Sequence, residues 1–245
     1  MSTEAMTRRV NWHQAVAEVT LIILGILGAL AVDSWWDERA KREAEIDYLE
    51  SLRADFIATR DSLNTEIEWE QRLIGDGKDI HANIASGLTQ LSPAEFLQKI
   101  SDFYWFSLWE WEPITATYNE LVGSGRLEYI QSRTLRIMMG EYVRRVERLI
   151  DYRGRQISEW QLSHRPFVYK HVIVSDLGWA GDYQPVSPFE NSYSELESKE
   201  FWNLISDWMG WHNTILTNYQ RILEDGEAIL ELINSELVSK GEQSE

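Results

Sequence analysis

Residues 19–32 read VTLIILGILGALAV, fourteen positions in which Thr20 carries the only polar side chain, and residues 33–39 (DSWWDER) then turn abruptly charged and amphipathic. A boundary this sharp is what a membrane surface imposes on a chain. Extending the run back to Ala15 gives eighteen residues, or ~27 Å at the helical rise, close to the ~30 Å hydrocarbon core of a bilayer. Trp12 stands on one side and Trp35 and Trp36 on the other, where an indole ring gains lipid contact while its N–H keeps water. The reading is a membrane helix over residues 14–34, preceded by a short tail (1–13) and followed by a helical domain (35–237) and a polar tail (238–245).

A cleavable signal peptide competes with this assignment, because Arg8 and Arg9 form a basic start and Ala29-Leu30-Ala31 offers an A-x-A cleavage pattern. Against it, Glu18 interrupts the segment, and neither Pro nor Gly separates Val32 from the helix-forming stretch DSWWDERAKREAEIDYLESL. Glu18, Ile22, Gly25, Ala29 and Val32 are spaced by four, three, four and three residues and so share one helical face. With small residues at 25 and 29 this face suits close approach of a second helix, with Glu18 as its polar element. The competing reading has Glu18 snorkel to the interface and the small residues incidental.

The formal charge of -17 arises entirely after the membrane segment: residues 1–32 contain two basic (Arg8, Arg9) and two acidic (Glu4, Glu18) side chains. An acidic domain of this kind repels nucleic acid and anionic lipid through its bulk field. Cysteine is absent, which excludes disulfides, thiolate catalysis and cysteine-type metal sites. Lys and Arg flank the segment on both sides, so orientation rests on the short basic N-terminus, which favours a cytoplasmic start and an extracytoplasmic domain.

In the domain, Ile46, Leu49, Leu52, Phe56, Leu63, Ile67 and Ile74 recur at multiples of three and four. They predict a long helix continuous with the membrane segment, breaking at Gly75-Asp76-Gly77 and leaving a helical remnant through Ile80 and Ile84. Ser92-Pro93-Ala94-Glu95 combines an N-cap, a first-turn proline and a capping-box glutamate, so a helix should begin at Pro93. Pro113 and Gly123-Ser124-Gly125 bracket a short helix. A second long helix is expected from Arg133 to His164, burying Leu135, Met138, Tyr142, Val146, Leu149, Ile157 and Trp160, with Pro166 ending or kinking it. The Gly/Pro-rich stretch VSDLGWAGDYQPVSP reads as an ordered loop because its Trp and Tyr suit a linker poorly.

The last helix has three parallel seven-residue rows: Phe201, Trp208, Ile215, Ile222 and Ile229; Trp202, Met209, Leu216, Leu223, Leu230 and Leu237; and Ile205, His212, Tyr219, Gly226 and Ile233. An apolar face that wide belongs to a multi-helix bundle. The fold class expected is therefore all-α, an N-terminal transmembrane helix continuing into an antiparallel bundle of long helices.

Several segments resemble an uncharacterised bacterial family of single-span membrane proteins, a domain of unknown function. They are Ala17-Glu18-Val19, Gly25-Ile26-Leu27-Gly28-Ala29-Leu30, Ser34-Trp35-Trp36-Asp37-Glu38-Arg39 and Tyr48-Leu49-x-x-Leu52, together with Tyr118–Ile130. The chain departs from that pattern at Ala17, where the family carries Gly, and at Trp36, where Asn is common. The resemblance implies an integral membrane protein with a helical domain and supplies no substrate, cofactor or catalytic residue.

The five histidines, His13, His81, His164, His171 and His212, form neither an H-E-x-x-H nor an E-x-x-H arrangement, so zincin and di-iron carboxylate chemistry are not signalled. If the last two long helices pack antiparallel, His164 and His212 could meet as a pH-sensitive pair or half of a metal site; a hydrogen-bonded core histidine is the plainer reading. The basic positions Arg144, Arg145, Arg153 and Arg155 alternate with Glu141, Glu147 and Asp151 and read as a solvated, salt-bridged face. Residues 103–111 (FYWFSLWEW) concentrate six aromatics, as a plug filling the bundle or as a partner patch; the aromatic character of Trp160, Trp202 and Trp208 favours the plug. A non-catalytic interaction or scaffold module follows, without cofactor, in contact with lipid and with a second copy or another membrane protein. The alternative is a sensory or accessory domain with a pocket among Trp105, Trp109, Trp111, His164 and His212.

Overall fold

The computed structural model describes residues 12–105, 111–183 and 185–242. The architecture is all-α, with no strand among the described residues. Helix α1 (Trp12–Ala85) runs 74 residues without interruption and is followed by α2 (Pro93–Trp105), α3 (Ala116–Gly123) and α4 (Arg133–Glu159). A π-helical turn (Trp160–His164) links α4 to α5 (Arg165–His171), and the short α6 (Tyr193–Leu196) precedes α7 (Lys199–Glu242).

The long helices form a three-membered frame. α7 returns antiparallel along α1, pairing Glu45 with Lys240, Glu70 with His212 and His81 with Trp202. It is antiparallel to α4 as well, through Arg145–Asp225, Arg153–Tyr219 and His164–Asp207. α1 and α4 therefore run away from the end that carries the exposed apolar segment and α7 runs back towards it. Two cores are stacked along this frame. The nearer joins Leu49, Leu52, Phe56 and Leu63 of α1 to Leu135, Tyr142 and Leu149 of α4 and to Ile215, Ile222 and Ile229 of α7. The farther joins Leu73 and Ile80 to α2, the π turn, α5 and the first turns of α7.

The predicted break at Gly75-Asp76-Gly77 is absent: both glycines lie inside α1. Gly77 sits in the buried register of α1, and a β-carbon there would come within 2.7 Å of Met209 Cγ and 2.8 Å of Phe103 Cε2. The glycine is a point of close approach for α2 and α7, and packing on both sides outweighs the ~1 kcal/mol that Gly costs a helix interior.

Two further expectations are adjusted by register. In α4 the buried positions are Leu135, Met139, Tyr142, Val146, Leu149, Arg153, Gln156 and Trp160, spaced alternately by four and three; Met138 and Ile157 lie beside this stripe, half-buried. In α7 the rows through Phe201 and Ile205 are fully buried, whereas Trp202 is exposed and Met209, Leu216, Leu223 and Leu237 are half-buried. The α7 contact is thus a narrow heptad seam with a partly wet flank.

Local start and stop signals perform as their chemistry requires. Ser92 and Glu95 form a reciprocal capping box at α2, with the Ser92 N–H donating to Glu95 Oε2 at 2.9 Å and the Glu95 N–H to Ser92 Oγ at 3.3 Å. Gly125 adopts a φ of +70° after α3, where the Arg126 N–H returns to the Leu121 carbonyl at 2.9 Å. The Gly/Pro-rich loop is anchored by Trp179, whose ring lies edge-on 5.7 Å from Trp160 and whose Nε1 donates to Ser101 Oγ at 2.9 Å.

Residues 16–32 project from the bundle with every side chain exposed. The helix that carries them is long and apolar enough to cross a membrane.

Candidate functional site

A group of carboxylate and imidazole side chains meets where α4 gives way to the π turn. Five residues of α-helix turn through about 500°, which would put Glu159 and His164 roughly 140° apart around the axis. The π turn widens the helix by one residue, with the Arg165 N–H donating to the Trp160 carbonyl, and so brings these two side chains to a common side. One ligand atom each from Glu159, His164 and Asp207 then lie within 4.8 Å of one another.

His164 is fully buried and held at both ring nitrogens. Its Nε2 is 3.3 Å from Asp207 Oδ2, and its Nδ1 is 3.2 Å from the Tyr104 hydroxyl. Burial pushes the imidazole below its ordinary range, against the opposing pull of Asp207 and Glu159. In the neutral ring, Asp207 can only accept, so the proton sits on Nε2 and Nδ1 accepts from Tyr104. Burial, with the Asp207 charge, raises the Tyr104 hydroxyl well above the usual tyrosine range, keeping it a donor. Trp208 packs against His164 at 4.7 Å between ring centroids, and Tyr104 against Trp160 at 4.7 Å.

His212 also packs on Trp208, 5.9 Å away and perpendicular to it. Its partner is Glu70 of α1, with Nδ1 2.6 Å from Oε2 and both groups almost completely buried. The two histidines that the sequence offered as a pair thus share contact with one indole, and each has its own carboxylate.

The aromatic pocket expected from sequence is divided. Trp111 belongs to the nearer core, donating from Nε1 to Ser62 Oγ at 3.1 Å and packing on Tyr219, while both histidines lie among the farther group. Trp105 ends α2 and its side chain is outside the described residues, as is the whole of Trp109. Within the aromatic stretch, Phe103, Tyr104 and Trp111 are buried and fill the bundle as a plug would. A different cavity of about 300 Å³ opens beside the His164 cluster, walled by Tyr104, Trp160, Arg165, Tyr169 and Trp179.

Just beyond the apolar segment, Trp35 and Trp36 are exposed, edge to face at 5.3 Å, and the Arg39 guanidinium lies 6.0 Å from the Trp35 ring. Trp12 opens α1, with its side chain outside the described residues. Glu18, Ile22, Gly25, Ala29 and Val32 follow one another along the exposed helix, and no atom comes within 4 Å of a β-carbon built on Gly25. Some ten residues further on, Glu45 is buried and accepts from the Gln131 N–H at 2.6 Å and from Lys240 Nζ at 2.8 Å, tying α1, the start of α4 and the end of α7 together.

Sequence reasoning missed four participants: Glu45, Glu70, Glu159 and Asp207. Glu45 and Glu70 carried a signal, since they occupy buried-register positions four residues before Leu49 and three after Ile67. Arg153, read as solvated, is also on the buried stripe and contacts the Tyr219 hydroxyl and ring. No family model matches the chain, and no curated protein or solved structure matches it.

Proposed function

We propose that this protein is a single-span membrane-anchored interaction module, in which the helical domain and membrane helix act as one stiff unit within a homo-oligomer or a complex with another membrane protein. The observation that carries this reading is the unbroken passage of α1 from its exposed apolar segment into the bundle core. A helix without a hinge transmits position and rotation directly, and the Glu45 contacts to Gln131 and Lys240 fix the bundle to it about 15 Å beyond the Trp35 position. The face Glu18, Ile22, Gly25, Ala29 and Val32 is the proposed helix–helix contact. A binding role, not a catalytic one, is assigned to the domain.

The natural absence of cysteine makes the test clean. Single cysteines placed by Gly25→Cys and Ala29→Cys should give oxidative cross-links in native membranes, whereas Leu27→Cys on the opposite side should not. A cross-linked product of twice the chain mass would indicate self-association, and one of another mass a membrane partner. No product at any position, with single-copy bleaching steps in the membrane, would refute the proposal. We further place the N-terminus in the cytoplasm and the domain outside a bacterial inner membrane; digestion of a C-terminal tag in intact spheroplasts supports this, and protection there reverses it.

A second reading, a ligand-binding accessory domain, is favoured by the cavity of about 300 Å³, whose aromatic walls and Arg165 suit a planar anionic molecule. Quenching of tryptophan fluorescence by an aromatic carboxylate, lost in Arg165→Gln, would support it; an unchanged spectrum across a panel of such acids would not.

A further inference from the structure

We propose that Glu159, His164 and Asp207 form a binding site for a divalent first-row transition-metal ion. The three donors come from two elements, the π-modified end of α4 and the first half of α7, and converge within 4.8 Å. An ion with bonds of ~2.1 Å holds tetrahedral ligands about 3.4 Å apart; His164 Nε2 and Asp207 Oδ2, at 3.3 Å, already have that spacing, and closure around the ion asks the Glu159 carboxylate to move by about 1.4 Å at most. Glu159 is half-buried and Asp207 exposed, which leaves both carboxylates free to make that adjustment.

The donor set points to the class of ion. Calcium and magnesium take oxygen ligands, whereas one imidazole with two carboxylates matches zinc, cobalt, iron or manganese. Three protein ligands leave coordination positions for water or for a group supplied by a partner. Support for the imidazole is already in place, because Tyr104 fixes the ring from the Nδ1 side. An ion at Nε2 displaces its proton, the neutral ring then carries its proton on Nδ1, and the Tyr104 oxygen changes from donor to acceptor.

Charge gives an independent argument. Among the described residues, neither Glu159 nor Asp207 forms an ion pair with Lys or Arg. Two carboxylates therefore converge with only an imidazole between them, an arrangement that a divalent cation relieves. The π turn brings Glu159 into this group; without it the same sequence would direct the carboxylate elsewhere around the helix.

The test uses the full chain in detergent after treatment with a chelator. Cobalt(II) is the spectroscopic probe and zinc(II) the calorimetric one. The expected result is one ion per chain at micromolar concentration, visible cobalt bands of a site with a nitrogen ligand, and a loss of at least tenfold in affinity in Glu159→Gln and Asp207→Asn. Because His164 is a core residue, these two accessible carboxylates are the principal variants, with thermal unfolding confirming that each remains folded. Tyr104→Phe tests positioning, with weaker binding and shifted cobalt bands expected. Glu231→Gln, on the exposed side of α7, should bind as the parent does. Absence of binding at 100 μM metal would overturn the site, as would unchanged affinity in both Glu159→Gln and Asp207→Asn, or calcium binding as tightly as zinc.

Discussion

Gly75 and Gly77 lie two residues apart in one helix and should respond to the same substitution with opposite sign. In Gly75→Ala the new methyl group meets nothing within 4 Å, so the helix gains the full propensity difference, up to about 1 kcal/mol. In Gly77→Ala the same gain is opposed by overlap with Met209 and Phe103 at 2.7 and 2.8 Å, against a comfortable carbon–carbon separation of ~3.5–4.0 Å. Met209 can bend away. Phe103 is fully buried and its ring already lies 5.5 Å from Tyr104 and 5.3 Å from His212, so its retreat disturbs both neighbours. Overpacking of this kind costs about 1–3 kcal/mol, and the net for Gly77→Ala is a loss of up to about 2 kcal/mol. The two variants should therefore differ by roughly 1–3 kcal/mol, or several degrees in Tm for a domain of this size. Guanidinium unfolding of the full chain in detergent, followed by far-ultraviolet circular dichroism, measures both midpoints. In a Phe103→Leu background the ring edge is removed, and Gly77→Ala should become neutral or stabilising relative to that background. Equal stabilisation by Gly75→Ala and Gly77→Ala, or no rescue by Phe103→Leu, would refute the close approach of α1, α2 and α7 at this point.

The buried Glu70–His212 pair makes a second prediction: His212→Ala leaves a carboxylate stranded among apolar groups and should cost about 3–5 kcal/mol, whereas Glu70→Gln, which preserves a hydrogen-bond acceptor, should cost clearly less in the same denaturation assay. Ser92→Ala removes the reciprocal cap of α2 and should lower stability by about 1 kcal/mol, with Ser92→Asp close to the parent. Burial, opposed by Arg153 and reinforced by Glu70, raises the Glu66 carboxyl above its ordinary value. The folded state then holds this proton more tightly than the unfolded state, so the Glu66 contribution to stability is present at acid pH and is lost as pH rises from the ordinary carboxylate range through the raised folded value. Comparing denaturation midpoints of the parent and Glu66→Gln between pH 4 and 7 isolates that slope, which should be absent in the variant.

What could be read from the sequence was whatever repeats. The α7 rows through Phe201 and Ile205, the α1 positions Leu49, Leu52, Phe56 and Leu63, and the capping box at Ser92 are local or periodic, and each appears in the fold where its spacing places it. The failures share a cause, which is treating a residue by its type instead of its register. Gly77 looked like a helix breaker, yet it falls four residues after Leu73 and three before Ile80, in step with the buried seam. Arg153 looked solvated, yet it is four residues after Leu149 and seven before Trp160 on the stripe that α4 presents to α7. A seam position overrides the solvation preference of a side chain when a partner is available across the interface, and Tyr219 supplies one here. The Glu159–His164–Asp207 group was illegible for a different reason. Helical metal motifs are sought at spacings of three and four because those spacings share a face of an α-helix, and a five-residue spacing acquires a common face only where a π turn intervenes. Nothing local in WQLSH announces that turn. It follows the register change forced between α4, which must keep its four-three stripe on α7 as far as Trp160, and α5, which must bury Phe167 and Val168 beyond Pro166. The site is thus a consequence of how two packing registers are reconciled, and removing the extra residue of the turn should disperse Glu159 and His164 while leaving the rows of α7 intact.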